Sequence, residues 1–406
     1  MTGMNQPAVQ QVRGSAGEVL RAFVKLGLTS FGGPIAHIGY FHNEFVLRRR
    51  WLSERDFGQL VALCQFLPGP ASSQIGFALG LMRAGAAGAA AAWAGFTLPS
   101  AALMIAFAYG ARFLGGPLGD SLIRGLKLVA VAIVAQALFG MARSLTPDAR
   151  RAGIAVAALA LVVLAGGAVG QIGAIVLGAC AGVLLCDGGS ENTAAGPDLP
   201  TFSRGWGLGF LALFLVLLGG LPLLSAAGAG PGVSLFDAFY RAGALVFGGG
   251  HVVLPLLEAA VVPPGWIGDG AFLAGYGAAQ AMPGPLFTFA AYLGTAMTLA
   301  PGGILGGVIA LVAIFAPGLL ILLAALPFWH GLRQRPRARA ALAGTNAAVV
   351  GVLAAAFHDP VWTSAVLSPR DFLVAAAGFV ALIAWRRPPW QVLIAMLAAT
   401  FLLRAV

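Results

Sequence analysis

Long apolar runs separated by short polar segments cover this 406-residue chain from end to end. Many runs reach 18 residues or more with few or no charged side chains, which is long enough for a helix to cross the ~30 Å hydrocarbon core of a bilayer. The alternating apolar and polar positions of membrane β-strands do not occur. The pattern therefore predicts an all-α polytopic membrane protein with about 10–13 hydrophobic segments.

The motif Gln-x-x-Pro-Gly-Pro interrupts two of these apolar runs, as QFLPGP at 65–70 and QAMPGP at 280–285. Two prolines around a glycine disfavour both helix and strand. Non-helical backbone is tolerated at membrane depth only where it is buried in protein or lines a cavity. We expect each PGP to form the tip of a re-entrant hairpin or the gap in a broken helix, with a plain proline kink as the alternative.

The sequence around the first PGP recurs around the second. AFVKLGLTSFGGP (22–34) is matched by AFYRAGALVFGGG (238–250), and GLKLVAVAIV (125–134) by GTNAAVVGVL (344–353). Internal repeats of this kind are common in transporters. The sequence predicts two homologous repeats and two further segments: a disordered cytoplasmic leader at 1–17, the first repeat at 18–186, a polar linker with one connecting transmembrane helix at 187–233, and the second repeat at 234–406.

Basic residues in the loops indicate how each repeat faces. The loop before Trp51 contains Arg48, Arg49 and Arg50, whereas the equivalent loop at 261–270 has no basic residue and carries Asp269. Because Lys and Arg collect in cytoplasmic loops, equivalent loops are expected on opposite sides of the membrane. We predict inverted repeats, with the single apolar segment 206–227 supplying the odd crossing.

Composition and motifs exclude several function classes. The net charge of +10 is explained by cytoplasmic loops rather than by nucleic acid, and charged residues make up only 9% of the chain. Lys25 and Lys127 are each followed by Leu, so the sequence has no nucleotide phosphate loop. The histidines do not cluster at metal-ligand spacing, and we interpret His37 and His251 as polar packing residues. No metal, cofactor or enzymatic activity is expected.

The remaining candidate is an anion-binding site built largely from backbone groups. FGGP (31–34), FGGG (247–250) and the two PGP motifs offer backbone N–H groups and helix N-termini, which bind anions. Gln65, Ser72, Ser73, Gln74, Gln280 and Thr288 would add neutral donors. Charges inside membranes are usually functional, and Lys127 is the best candidate. Glu44 and Glu258 occupy roughly equivalent places and are candidate proton carriers, with interfacial acids as the alternative.

These motifs in this order resemble the chromate ion transporter family in its long, two-domain form. The resemblance implies a multi-pass protein of the bacterial cytoplasmic membrane that exports chromate and confers chromate resistance. It also implies the following substrate-binding positions: Gly32, Gly33, Pro34, Gln65, Pro68, Gly69, Pro70, Lys127, Gly248, Gly249, Gln280, Pro283, Gly284 and Pro285. Gly250 stands where the first half has Pro34, so we expect the two sites to differ.

Several alternatives stay open at this stage. A sulfate or general oxyanion transporter with chromate as a passenger would use the same site, because both are tetrahedral dianions. A membrane lipid-pyrophosphate phosphatase also fits an inverted repeat with a PG loop, but PGPASSQIG (68–76) lacks an arginine. Without a nucleotide motif, we expect the membrane potential to drive export, with proton antiport as an addition. A homodimer is one of the open oligomeric states.

Overall fold

The computed structural model describes residues 14–31, 33–111, 116–186, 203–247, 250–329 and 335–405. These residues form sixteen α-helices and no strand, which confirms the all-α prediction. The helices, in chain order, are α1 Ala16–Thr29, α2 Gly33–Phe41, α3 Glu54–Phe66, α4 Ala71–Ala111, α5 Gly116–Leu145, α6 Ala149–Ala165, α7 Gly167–Leu185, α8 Arg204–Ala226, α9 Pro231–Ala244, α10 Val253–Val261, α11 Asp269–Ala281, α12 Phe289–Ala296, α13 Gly303–Ala325, α14 Pro336–Ala356, α15 Pro369–Ile383 and α16 Pro389–Ala405.

The PGP motifs end the helices that precede them. Leu67, after α3, has φ −88° and ψ 151°, and Met282, after α11, has φ −91° and ψ 145°. Both residues stand directly before a proline, whose ring pushes the preceding residue out of the helical region into extended backbone. The helix therefore stops one residue before each PGP, and a new helical segment begins just after it.

A second break divides α4 into two arms. Ala84 and Gly85 have non-helical dihedral angles inside α4, with φ +64° at Gly85. The arms 71–83 and 86–111 fold back on each other so closely that a Cβ on Gly80 or Gly88 would collide with the carbonyl oxygen of the other. Gly294 of α12 and Gly306 of α13 meet in the same way. Small residues permit this close approach of two helices within a membrane protein.

Helix order recurs along the chain on either side of α8. The first and ninth helices each have 14 residues, the second and tenth have 9, and the third and eleventh have 13. The two arms of α4 then correspond in order to α12 and α13, and α5, α6 and α7 correspond to α14, α15 and α16. This is the arrangement expected of a duplicated unit with one additional helix between the copies.

Five described segments are long and apolar enough to cross a membrane: Ala71–Ala111, Gly119–Leu145, Arg204–Ala226, Gly303–Phe328 and Pro336–Trp362. Two of them precede α8, two follow it, and α8 itself is the fifth. Only 11% of the most apolar part of α8 is buried, against 67% for Pro336–Trp362. The helix between the two halves therefore lies at the periphery, and the chain has the character of a multi-pass membrane protein.

The two halves share their hydrophobic cores. One core packs α1 and α3 against both arms of α4, and it also contains Leu322, Leu326 and Trp329 from the second half. The other core packs α9 to α16, and it also contains Ala101 and Met104 of α4 and residues 128–134 of α5 from the first half. Each half therefore contributes residues to the core that is formed mainly by the other half.

Candidate functional site

Each PGP motif is hydrogen-bonded to the opposite half. The Gly69 N–H donates to the Val246 carbonyl at 2.7 Å, and the Gly284 N–H donates to the Ser30 carbonyl at 2.9 Å. Val246 and Ser30 stand directly before the two Phe-Gly-Gly sequences. The PGP of one half therefore lies against the residue that precedes the glycine motif of the other. We call this region, formed by residues 27–31, 33, 67–74, 246–247 and 282–288, the crossing.

The central glycines of the two PGP motifs have backbone conformations and surroundings that exclude a side chain. Gly69 has φ +116° and Gly284 has φ +95°, values that L-residues rarely adopt. A Cβ on Gly69 would lie 2.8 Å from the Cα of Gly318, and a Cβ on Gly284 would lie 3.0 Å from the Cβ of Ser100. Gly318 and Ser100 each follow the proline of a long helix in the opposite half. The central glycine of each PGP therefore packs against a long helix of the opposite half.

Side chains just after each PGP hold the crossing together. The Gln74 Nε2 donates to the Pro68 carbonyl at 2.9 Å and to the Gly318 carbonyl at 2.8 Å. In the other half the Thr288 Oγ1 lies 2.8 Å from the Ser100 Oγ and donates to the Pro285 carbonyl at 2.8 Å. Each PGP is therefore fixed both to its own following helix and to a long helix of the opposite half.

Several buried polar atoms around the crossing have no hydrogen-bond partner among the described residues. They belong to elements that meet there, and they are Ser30 Oγ, His37 Nε2, Ser73 Oγ, Gln74 Oε1, Thr97 Oγ1 and Gln280 Nε2. All but the Gln74 oxygen belong to groups that can donate. A buried donor left unpaired costs about 1–3 kcal/mol. Chemically, the crossing therefore offers neutral donors to a ligand that carries several acceptor oxygens.

The structure gathers most of the sequence-predicted positions at the crossing. Pro68, Pro70, Pro283 and Pro285 flank the two central glycines, and Ser72 and Ser73 begin the helix that follows the first PGP. Gly33 starts α2 with φ +77°, whereas Gln65 is exposed on α3. The remaining positions, Gly32, Gly248 and Gly249, lie outside the described residues, and Pro34 is described only by its backbone in α2.

Lys127 is not brought to the crossing. Its Nζ would lie 3.2 Å from a Cβ placed on Gly270, at the N-terminal end of α11. The PGP follows the other end of this helix, so the two sites are separated by ~17 Å of helix at 1.5 Å per residue. A charge in an apolar run was the sequence signal for this residue, but the long side chain reaches towards a helix end instead.

The two candidate proton carriers have opposite surroundings. The Glu44 carboxylate accepts from Arg48 Nη1 at 2.7 Å and from Arg49 Nε at 2.6 Å. Burial alone would raise the pKa of Glu44, but the guanidinium groups of Arg49 and Arg48 hold it below its usual value. The sequence did not predict this pairing, although the arginines four and five residues after Glu44 were its signal.

Glu258, by contrast, lines a cavity of about 840 Å³ together with Asp269, His358 and Asp359. Among the residues that the structure describes, no Lys, Arg or His nitrogen lies within 4.0 Å of its carboxylate. The described chain also contains no group of three His, Cys, Asp or Glu side chains placed to hold a metal ion. The cavity is therefore lined by several carboxylates that are not arranged to chelate a metal ion.

An ion-pair network that the sequence did not predict surrounds Trp51. Glu18 of α1 contacts Arg83 at 3.2 Å and Arg49 at 3.8 Å. The guanidinium carbons of Arg49 and Arg83 lie 5.5 and 5.1 Å from the Trp51 ring centroid, within the range of a cation–π contact. Together with Glu44, these residues join α1, the segment after α2 and the bend of α4. We call them the Trp51 cluster.

Comparison with known proteins gives a consistent result. The model of the chromate transporter family matches residues 17–183 and 233–401. The chromate transport protein of Pseudomonas aeruginosa is 29% identical over 391 residues, which cover 94% of this chain and 90% of that protein. The chromate transport protein of Cupriavidus metallidurans is 26% identical over 84% of this chain and 81% of its own length.

A further relative, named an uncharacterized transporter of Methanocaldococcus jannaschii, is 26% identical over 79% of this chain and 78% of its own length. No solved structure gives a significant match. The two segments matched by the family model span α1 to α7 and α9 to α16, and each contains one glycine motif and one PGP. On this evidence the chain belongs to the chromate transporter family.

Proposed function

We propose that this protein is a secondary active transporter that exports chromate from the cytoplasm across the bacterial cytoplasmic membrane and so confers chromate resistance. The observation that carries the proposal is the reciprocal contact at the crossing, where Gly69 and Gly284 each donate to the opposite half. A site formed equally by two halves can be exposed to either side of the membrane when one half moves relative to the other.

The same reciprocity supports the inverted-repeat and re-entrant predictions. Equivalent contacts made in both directions are what a pseudo-two-fold axis between two copies produces. The helices before each PGP have 13 residues, which rise ~20 Å against a ~30 Å hydrocarbon core. We propose that each PGP forms a re-entrant or broken segment in a repeat that is inverted relative to the other.

The substrate site consists of neutral donors and backbone at the crossing. The donors that lack partners come from both halves, including Ser73 and Gln280. Gly33, Pro68, Gly69, Pro70 and Ser72 would form the first-half side of the site, and Pro283, Gly284 and Pro285 the second-half side. An uncharged, donor-lined site can release a dianion, because it does not hold the substrate by a fixed opposite charge.

The membrane potential is sufficient to drive this export. One elementary charge crossing the membrane is worth ~2.3 kcal/mol per 100 mV, so a dianion leaving a negative interior gains ~4.6 kcal/mol per 100 mV. That free energy corresponds to a concentration ratio of about a thousand or more. Glu258, which faces the acidic cavity, is the better placed of the two candidates for additional proton antiport, since Glu44 is held by two arginines.

Inside-out vesicles test the proposal directly. Vesicles loaded without potassium and diluted into potassium with valinomycin become positive inside, and they should accumulate labelled chromate only when they contain the protein. The reverse gradient at the same pH should abolish accumulation. Uptake that needs ATP while the potential is clamped would contradict the mechanism. Competition by excess sulfate separates a chromate exporter from an oxyanion transporter that carries chromate as a passenger.

A further inference from the structure

His37 has an unusual environment for a histidine in this chain. It lies on α2, four residues after Gly33, and its side chain is 0% exposed. Its ring packs edge-on against Phe96 with 5.2 Å between centroids, and its Nδ1 lies 3.4 Å from the Ser72 Oγ. Ser72 is the second residue after the first PGP. The side chain therefore joins the glycine motif of the first half to the helix that begins at the PGP of that half.

The other ring nitrogen is the informative one. His37 Nε2 is buried and has no hydrogen-bond partner among the described residues. When the Ser72 hydroxyl donates to Nδ1, the single proton of the neutral ring is on Nε2, which then is a donor without an acceptor. The fold thus supports one nitrogen and leaves the other for a ligand, since an unpaired buried donor is unfavourable.

Neighbouring groups are of the same kind. The Ser30 carbonyl accepts the Gly284 N–H and also faces the His37 ring, but it does not meet His37 Nε2 with hydrogen-bond geometry. The Ser30 and Ser73 hydroxyls are also buried and unpaired. Several unpaired donors on adjacent elements fit a ligand with several acceptor oxygens arranged around one centre. A tetrahedral oxyanion has this arrangement.

We propose that His37 contacts the transported oxyanion through its Nε2–H and is a determinant of substrate affinity, with Ser72 as the residue that positions the ring. This inference rests on the proposed transport of chromate and adds a ligand that the sequence motifs do not contain. His251 of the second half has different neighbours. Its Nδ1 lies 2.8 Å from the Tyr276 hydroxyl, and its Nε2 would lie 3.9 Å from a Cβ placed on Gly33 of the first half.

Transport kinetics in the inside-out vesicles test the role of His37. His37→Phe keeps a planar ring and removes the donor, whereas His37→Gln keeps an N–H. We expect His37→Phe to raise the KM for chromate about ten-fold or more, as for a lost hydrogen bond to a charged group. His37→Gln should recover part of the affinity, and neither variant should change the maximal rate as strongly as the KM.

His42 provides the matched control, because it is partly exposed and is paired with Glu54 at 2.6 Å. His42→Phe should leave the KM within two-fold of the wild type. A KM for His37→Phe that is also within two-fold would overturn the proposal. If His37→Phe does not reach the membrane, the comparison of His37→Gln with His42→Gln decides by the same criterion, with an unchanged KM for both again contradicting the proposal.

Binding of labelled chromate to purified protein separates this inference from the proposed function. Wild-type protein that binds chromate but does not accumulate it in vesicles contradicts the export proposal, while weaker binding by His37→Phe still supports the ligand role. Wild-type protein that binds neither chromate nor sulfate contradicts both. Equal binding by wild type and His37→Phe contradicts the ligand role alone.

Discussion

The two halves of this protein differ most where their tryptophan loops lie. In the first half, Glu44 is paired with Arg48 and Arg49, and the Trp51 cluster joins three segments of the fold. In the equivalent place of the second half, Glu258 lines an acidic cavity with Asp269 and Asp359, and no described cation pairs with it. Equivalent backbone therefore carries opposite electrostatics.

At the crossing the halves are instead alike. Gly69 and Gly284 make the same hydrogen bond in opposite directions, and each lies against the residue after a helix proline. On the proposed inverted topology, symmetry is kept where the two halves form one site and is lost where each half meets its own side of the membrane. A loop rich in arginine suits the cytoplasmic side, and a loop without basic residues suits the outside.

Accessibility to an impermeant thiol reagent gives the largest expected contrast between the halves. In a background without the native cysteines, Arg55→Cys should be protected in whole cells and Pro264→Cys should be labelled. Both positions are exposed: Arg55 lies in the first turn of α3, and Pro264 lies in the loop before α11. Both variants should react equally once the cells are permeabilised. Equal labelling of the two cysteines in intact cells would remove the inverted arrangement.

Substitutions at Gly69 and Gly284 should both impair chromate transport, and the size of the two effects should differ. Gly69→Val and Gly284→Val place a β-branched residue at positive φ, a strain of about 1–3 kcal/mol before any clash, so we expect chromate transport to fall about ten-fold or more. Gly69→Ala should be more harmful than Gly284→Ala, because a Cβ at Gly69 meets backbone at 2.8 Å and a Cβ at Gly284 meets a side chain at 3.0 Å.

Gly58→Ala on α3 is the control for these variants, since a Cβ there has no heavy atom within 4 Å. It should transport chromate at the wild-type rate. All five variants should reach the membrane in similar amounts, as measured by immunoblotting of membrane fractions. Normal transport by both valine variants would mean that the PGP motifs are structural bends without a role in the substrate site.

Neutralising the two glutamates should give a smaller effect, in the stability of the purified protein. Glu44→Gln removes the partner of two arginines, which we expect to cost about 1–3 kcal/mol and to lower the melting temperature by several degrees. Glu258→Gln removes a carboxylate that faces other acids and should leave the melting temperature unchanged or raise it. Scanning fluorimetry in detergent measures both variants, and a larger loss for Glu258→Gln would contradict the comparison.

The pH dependence of the Glu44 effect has a definite sign. The pKa of Glu44 is lowered in the folded protein, so its contribution is present above the pKa of the unfolded chain and is lost as the pH falls through the folded value. The difference in melting temperature between wild type and Glu44→Gln should therefore be full near neutral pH and should shrink below pH ~4. A difference that grew on acidification would mean that the arginine pairs do not stabilise the fold.

Local features of the fold were predictable from the sequence, because they depend on neighbouring residues. The apolar runs predicted an all-α chain, and the prolines after Leu67 and Met282 explain where α3 and α11 end. The contact of Gly69 with Val246 was not predictable in this way. It joins residues 177 positions apart. The sequence of a PGP motif does not specify whether it contacts the glycine motif of its own half or that of the opposite half.

The positions of polar side chains also differed between the sequence-based predictions and the structure. Lys127 was assigned to the site because it interrupts an apolar run, but its ammonium reaches the start of α11. His37 was interpreted as a packing residue, and only its burial and the unpaired Nε2 distinguish it from one. The sequence indicates which element carries such a residue. Its chemical role depends on the groups that surround the end of its side chain, and these come from other parts of the chain.

The contribution of Leu322, Leu326 and Trp329 to the core of the first half has a consequence for biosynthesis. The first half emerges from the ribosome with its core lacking Leu322, Leu326 and Trp329, which are translated more than 130 residues after the last helix of that half ends at Leu185. Domains usually fold in order as they are made. We therefore expect the first half to complete its core only after α13 and residues 326–329 have been inserted, so that the chain matures as one unit.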